Sequence, residues 1–501
     1  MPFDQEFFMR RLKYIHKCDI AFFIALLLKV FSAGIHYFPV LDDHIQYGCY
    51  PHFPLARVLF GDIGTAGARP FASFLDPSFW GLFYNCMWIA LLFISVLYFL
   101  SAVFLDRILV EHHIKITPFL YCVFLLTPIT FEATYWISAA TRIVVGMFFA
   151  TSATILLMLY LNQKKKTTLA LYSICTLLSF GFYEAVMIFS LILQSFVIIK
   201  RALKYHSKRP LRHCIIPFSL AFLMLMYYLV ASKIFLLGSR ASTTSLSGIR
   251  SRIGDFIVQF FYTTCGGFFR TTFLGFRDGL LYIFSSPWLA LILLPLILGV
   301  AVLCAIYSKK HKIRGRVNAC VPLGICMIFL PMLPHLLVAD VWITYRSIFL
   351  CLPGFCIAFA PLGQKLLKKH KPRQIVVFSL VFLFLVGGAN EVATYKKVSK
   401  TDALIVENIV SALDDDVLEG KKNTILVLPH EIIIPQTSYY KDHVKSVASS
   451  DWALTGAVRA KAKNNEIPYI YPVYSLEGID TAGMQVLYMD ENYQVTEEVH
   501  E

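Results

Sequence analysis

Near-continuous apolar runs recur along this chain and constrain its fold more than any other feature. Residues 20–38, 79–105, 143–161, 185–199, 284–306 and 374–390 carry at most one charged residue each. Each approaches the roughly 20 residues that a helix needs to cross a bilayer. Hydrocarbon offers no water to an open backbone, so such runs must close their hydrogen bonds internally, as helices. The composition agrees: 57% hydrophobic and 16% charged, against about 45–50% apolar and about 25% charged in soluble domains. Soluble globular, disordered, fibrous and disulfide-stapled secreted classes are excluded.

The predicted architecture is an α-helical polytopic membrane protein with about eleven transmembrane helices, followed by a small α+β domain. The spans are placed near 20–38, 79–105, 117–131, 143–161, 168–182, 185–199, 214–235, 284–306, 319–338, 345–362 and 374–390. The first is read as an anchor, because no small-residue cleavage site follows it.

The net charge of +14 raises the question of nucleic acid, and its distribution answers it. The cations fall in short clusters after every second run: Arg10, Arg11, Lys13 and Lys17; Lys164 to Lys166; Lys200 to Arg212; Lys309 to Arg316; Lys365 to Arg373. This is the positive-inside pattern. It places the N-terminus in the cytoplasm and the C-terminal domain outside, and it accounts for the charge without a nucleic-acid partner. The bilayer itself is the first partner implied.

Three segments on the predicted outer side are long. Residues 39–78 are rich in Pro, Gly and aromatics and are expected to lie at the interface as short helices. Residues 236–283 begin with a Ser/Thr/Arg-rich stretch, Gly238 to Ser251, expected to be mobile. Their aromatic second half is expected to be interfacial or re-entrant. After residue 390 the composition shifts, and 391–501 is expected to fold separately. Thr401 to Leu413 has helical periodicity. Thr424 to Leu428, Ile432 to Ile434, Tyr469 to Tyr474 and Gln485 to Met489 read as strands, with a helix near Trp452 to Lys463. Most of the twelve cysteines sit in spans, where they act as small apolar residues. Cys49 and Cys265 are the pair that this topology would allow to bridge.

Leu41-Asp42-Asp43-His44, at the exit of the first span, is the most informative polar site. Adjacent carboxylates there have two chemical uses: to hold a divalent cation (Mg or Mn) against a phosphate, or to supply a general base. Arg69, further along the same loop, suits phosphate recognition. Glu132, Tyr135, Trp136 and Arg142, then Tyr183 and Glu184, then His335, Asp340, Tyr345 and Arg346 all fall in turns on the same side. Charge at bilayer depth costs about 2.5–3.5 kcal/mol on insertion scales, so these residues are expected to face partners or a wet cavity. Lys29, midway along the first span, is expected to have a buried partner or a water-filled cleft. No nucleotide-binding glycine loop, zinc-protease motif or nucleophile elbow is present in the sequence.

With its cytoplasmic N-terminus, Asp-Asp motif and outer C-terminal domain, the chain resembles the GT-C superfamily of integral-membrane glycosyltransferases. Asp42-Asp43, Arg69, Glu132 to Trp136 and Tyr183-Glu184 are similar to the bacterial glucosyltransferase-type members that decorate surface polysaccharide. The likeness covers most of residues 1–390. It implies transfer of a hexose from a polyprenyl-phosphate sugar to a surface glycan or glycolipid acceptor. Asp42 or Asp43 would then be base or metal ligand, and Arg69, with Arg142 or Arg346, would bind the phosphate. A polysaccharide polymerase or ligase would share the lipid-linked substrates and rely on the arginines of 236–283. A flippase or transporter would need charges lining a pathway and commonly shows inverted repeats; only Lys29 sits deep in a span, and no repeat is evident.

Overall fold

The structure, a computed structural model, describes residues 15–497 apart from 62, 64, 68, 235–245, 338–342, 431 and 433–443. Seven of its helices are long and apolar enough to cross a membrane, and nine are if each of two bent pairs counts as one span. The bent pairs are 117–134, broken by 57°, and 345–366, broken by 47°. Two further apolar helices, Lys17–Val30 and Lys166–Phe182, have 14 and 17 residues. The chain is thus a multi-pass α-helical membrane protein. Length and composition alone do not reach the expected count of eleven.

The helices differ in how much of their surface they hide. Arg209–Ala231 exposes Phe218, Phe222, Leu223 and Leu225, and Pro287–Ser308 exposes Trp288, Leu291, Ile292 and Leu296. A helix apolar on its outward face has no stable place in water and suits contact with acyl chains. The 117–134 segment is instead wrapped by protein, and the first helix buries one face, with Phe22, Ala25, Leu26 and Lys29, while Ile20 and Ile24 stay exposed. There Lys29 is fully buried, and its ammonium donates to Leu125 O (3.1 Å), Thr127 O (3.1 Å) and Thr130 Oγ1 (2.6 Å). Its hydrogen-bond acceptors come from the bend of 117–134, and the Glu391 carboxylate lies within Coulombic reach. Pro128 lacks an N–H, so the chain bends there and turns carbonyls inward that the lysine satisfies.

The second long loop is more regular than its composition implies. Leu246–Phe261, a π-helical turn at Tyr262–Gly266 and Gly267–Phe284 follow one another. The last packs along the helix His370–Ala412. Residues 246–251 are therefore helical, while the rest of the stretch expected to be mobile lies almost wholly outside the described residues.

Residue 390, taken from composition as a domain boundary, sits inside one 43-residue helix, His370–Ala412. Beyond it is a small sheet of order β2-β1-β3-β4, with β1 Thr424–Val427, β2 Ile470–Val473, β3 Gln485–Met489 and β4 Val495–Thr496. β1 pairs in parallel with β2 and β3, and β4 closes the edge antiparallel. The helix Asp451–Ala462 forms the β1-to-β2 connection. The expected strand at 432–434 falls largely outside the described residues. Cys49 is buried, Cys265 is exposed, and both are free thiols, so the bridge between them is not formed.

The C-terminal helix does more than cover its own sheet. It packs on the π-helical turn His44–Cys49, which follows the Asp pair directly. A Cβ at Gly456 would lie 2.6 Å from Ile45 Cβ and 2.9 Å from its backbone, so only glycine permits this approach. Cys49 Sγ donates to Gly456 O at 3.1 Å across the same contact.

Candidate functional site

Leu41 is the local origin of the site. Its φ of +46° puts a bulky residue in the left-handed region, a conformation costing on the order of 1–3 kcal/mol and kept where surroundings over-determine it. The surroundings here are packed: Val40 and Leu41 are both buried. The turn they make aims the next two side chains differently. Asp43 is fully buried, whereas Asp42 is half-buried.

Asp43 is held on every side. The Tyr37 hydroxyl donates to Oδ2, as does Val40 N at 3.1 Å, and Ser138 N donates to Oδ1 at 3.2 Å. Burial pushes its carboxyl up to about 7 against the opposing pull of those hydrogen bonds. Asp42 accepts from Ser138 Oγ at 3.4 Å and lies within Coulombic reach of Arg142. Arg142 in turn pairs with Asp76 at 2.8 Å and reaches Gln46 Oε1 at 3.4 Å, and Tyr47 donates to Asp76 at 3.3 Å. Burial raises the Asp76 carboxyl while the Arg142 charge opposes the shift. His44 turns away from the pair. Its Nδ1 meets the Tyr84 hydroxyl at 3.2 Å, and burial pushes the imidazole down to about 4, so it stays neutral near pH 7.

A second group adjoins the first. Arg69 pairs with Glu184 at 3.4 Å and stacks 4.6 Å from the Tyr183 ring centre. Arg346 sits 5.2 Å over the Trp136 ring and 3.5 Å from Glu132, which also accepts from the Arg346 backbone N–H at 3.0 Å. His335 lies within Coulombic reach of Glu184, Arg69 and Arg346. Residues 132–142 join the groups, with Glu132 and Trp136 in one and Ser138 and Arg142 in the other. Tyr135 stacks between Tyr37 (5.3 Å) and Tyr395 (4.7 Å), in the wall behind the Asp pair. Tyr345 is buried against Gly267, and Asp340 lies outside the described residues.

The structure therefore gathers most of the sequence-derived residues at one mouth but redistributes their roles. All three candidate phosphate-binding arginines already rest on carboxylates. Arg69 belongs with Glu184 and Tyr183, whereas Arg142 is the arginine beside Asp42. Three participants carried no sequence signal of their own: Asp76, Gln46 and Ser138, whose contacts exist only once the first loop folds back on the 132–142 turn.

The donor set does not suit a metal centred on the pair. Both Asp43 oxygens are taken by hydrogen-bond donors, and among the described residues no three His, Cys, Asp or Glu side chains converge to hold an ion. What the arrangement offers is one half-buried carboxylate held next to a fixed guanidinium. Comparison with protein families, with curated proteins and with solved structures finds no match to this chain.

Proposed function

We propose that this protein is a membrane glycosyltransferase that moves a sugar from a polyprenyl-phosphate donor to a hydroxyl acceptor at the Asp42 mouth. The observation that supports the reading best is one half-buried carboxylate, Asp42, beside the Arg142–Asp76 pair, joined through residues 132–142 to the ring-stacked Arg346. A lipid-linked donor presents its phosphate at that level of the bilayer, and guanidinium groups suit phosphate oxygens. Trp136 and Tyr183 offer rings on which a sugar can lie.

In this reading the acceptor hydroxyl gives its proton to Asp42 as its oxygen bonds to the anomeric carbon. The bond from that carbon to the phosphate oxygen breaks, and polyprenyl phosphate leaves with the electron pair. Asp43 holds Asp42 in place through the loop, Tyr37 and Ser138, and does not itself touch substrate. Arg142 stabilises the ionised form of Asp42.

The test is release of polyprenyl phosphate from polyprenyl-phosphate glucose by the reconstituted full chain. Asp42→Asn should lower turnover by about 10²–10⁴, the usual contribution of a general base, with folded yield unchanged by gel filtration. No donor consumption by the wild type, or wild-type turnover in well-folded Asp42→Asn, overturns the reading.

A further inference from the structure

The end of the bundle opposite the Asp42 mouth holds a cavity of about 440 Å³. Ser138 and Asn162 mark the two ends of the Ile137–Gln163 helix, and at 1.5 Å per residue they stand roughly 36 Å apart. The cavity forms where the last turns of Trp88–Glu111, Ile137–Gln163 and Glu184–Lys204 meet the first turn of Val317–Leu336. Four cations line it (Lys200, Arg201, Lys204 and Arg316) against one carboxylate, Glu111.

Arg201 is committed to the wall, donating to Leu161 O at 2.9 Å and to Asn162 Oδ1. It thereby neutralises the exposed carbonyl end of that helix. Lys200 and Lys204 lie over the Phe196 and Tyr205 rings, each 5.7 Å from the ring centre. Among the described residues neither lysine nor Arg316 makes an ion pair. His112 adds a neutral donor or acceptor: its Nε2 is enclosed and without a hydrogen-bond partner among the described residues. The rim is apolar and outward-facing, with Leu203 63% exposed and Val317, next to Arg316, 56% exposed. A phosphate held by these cations would have acyl chains beside it.

We infer that this cavity binds the phosphate headgroup of an anionic phospholipid, with Lys200, Lys204 and Arg316 as its charge contacts and the Leu203–Val317 rim against the acyl chains. The inference is independent of the transferase reading, because it concerns the other end of the bundle and needs no catalysis. Basic cavities between apolar helices suit such headgroups, and each cation near the surface contributes about 1 kcal/mol, or roughly fivefold in affinity.

The experiment follows thermal unfolding of the full chain in phosphatidylcholine nanodiscs as phosphatidylglycerol is added. The melting temperature should rise, and the mole fraction giving half the rise should increase roughly fivefold in each of Lys200→Gln, Lys204→Gln and Arg316→Gln. Lys368→Gln, on the same end but away from the cavity, should match the wild type. In the wild type, added salt should shift the half-point upward by screening, a readout that does not depend on any variant folding. Unchanged half-points in the three variants, equal loss in Lys368→Gln, or salt independence overturns the site. A full shift with inorganic phosphate in pure phosphatidylcholine overturns the lipid as occupant.

Discussion

At the Asp42 mouth, Arg142, Arg69 and Arg346 each lie against a carboxylate; at the opposite end, Lys200, Lys204 and Arg316 surround a cavity without an ion pair among the described residues. Burial explains the deepest of these pairs. Asp76 is 4% exposed at its side chain and Arg142 14%, and a charge that deep must be matched or neutralised. The lysines at the other end keep their heads near solvent and headgroups, where pairing adds little. The rule follows depth rather than side, since the lysine end also contains a deep cluster. There Arg107 bridges the buried Asp19 and Asp106, and Tyr121 donates to Asp19 at 3.0 Å. Matched charge gives fixed geometry, which a reaction needs. Unmatched charge leaves affinity available for a ligand.

The largest expected effect breaks this comparison at its deepest pair. Arg142→Met leaves Asp76 buried without its cation and should cost about 3–5 kcal/mol, seen as a large loss of folded yield and melting temperature. Lys204→Gln should stay within about 0.5 kcal/mol of wild type. Similar losses in the two variants would show that depth does not separate the ends.

A smaller effect concerns how the mouth is braced. Gly456→Val places side-chain atoms against Ile45 and should lift the C-terminal helix from the 44–49 turn, costing about 1–3 kcal/mol as overpacking does. In a background where Cys49 is the only cysteine, its labelling by a thiol reagent should accelerate markedly. Labelling as slow as in the unsubstituted protein would show that this contact does not shield the loop.

A third effect is a slope. The Asp43 carboxyl, pushed up to about 7 in the fold, sits above the ordinary carboxylate range of an unfolded chain. Its contribution to stability is therefore fully present below about pH 4 and is lost as pH rises through 7. The melting temperature of the wild type should fall more steeply between pH 5 and pH 8 than that of Asp43→Asn. Parallel profiles would mean that Asp43 is ionised throughout and stabilised by more than its visible donors.

Local sequence carried a large part of this. The apolar runs, the short strands at 424–427, 470–473 and 485–489, and the helix at 451–462 are properties of consecutive residues, so periodicity and composition locate them. The basic clusters likewise marked one end of the bundle, and the polar turns marked the other. The composition shift at residue 390 falls inside a helix, because a helix that leaves the apolar layer can change its surface without breaking its backbone hydrogen bonds. In the 236–283 loop the Ser/Thr/Arg-rich start read as mobile and the aromatic second half as interfacial or re-entrant, and helix periodicity was not what marked either.

Tertiary structure alone decided which member of the Asp pair is buried, which carboxylate each arginine meets, and where Lys29 finds its acceptors. The pairs Arg142–Asp76, Arg69–Glu184, Arg346–Glu132 and Lys29–Thr127 join residues 66, 115, 214 and 98 positions apart. No local pattern encodes such distances. They are set when apolar helices pack and force every remaining buried charge to find a partner within reach.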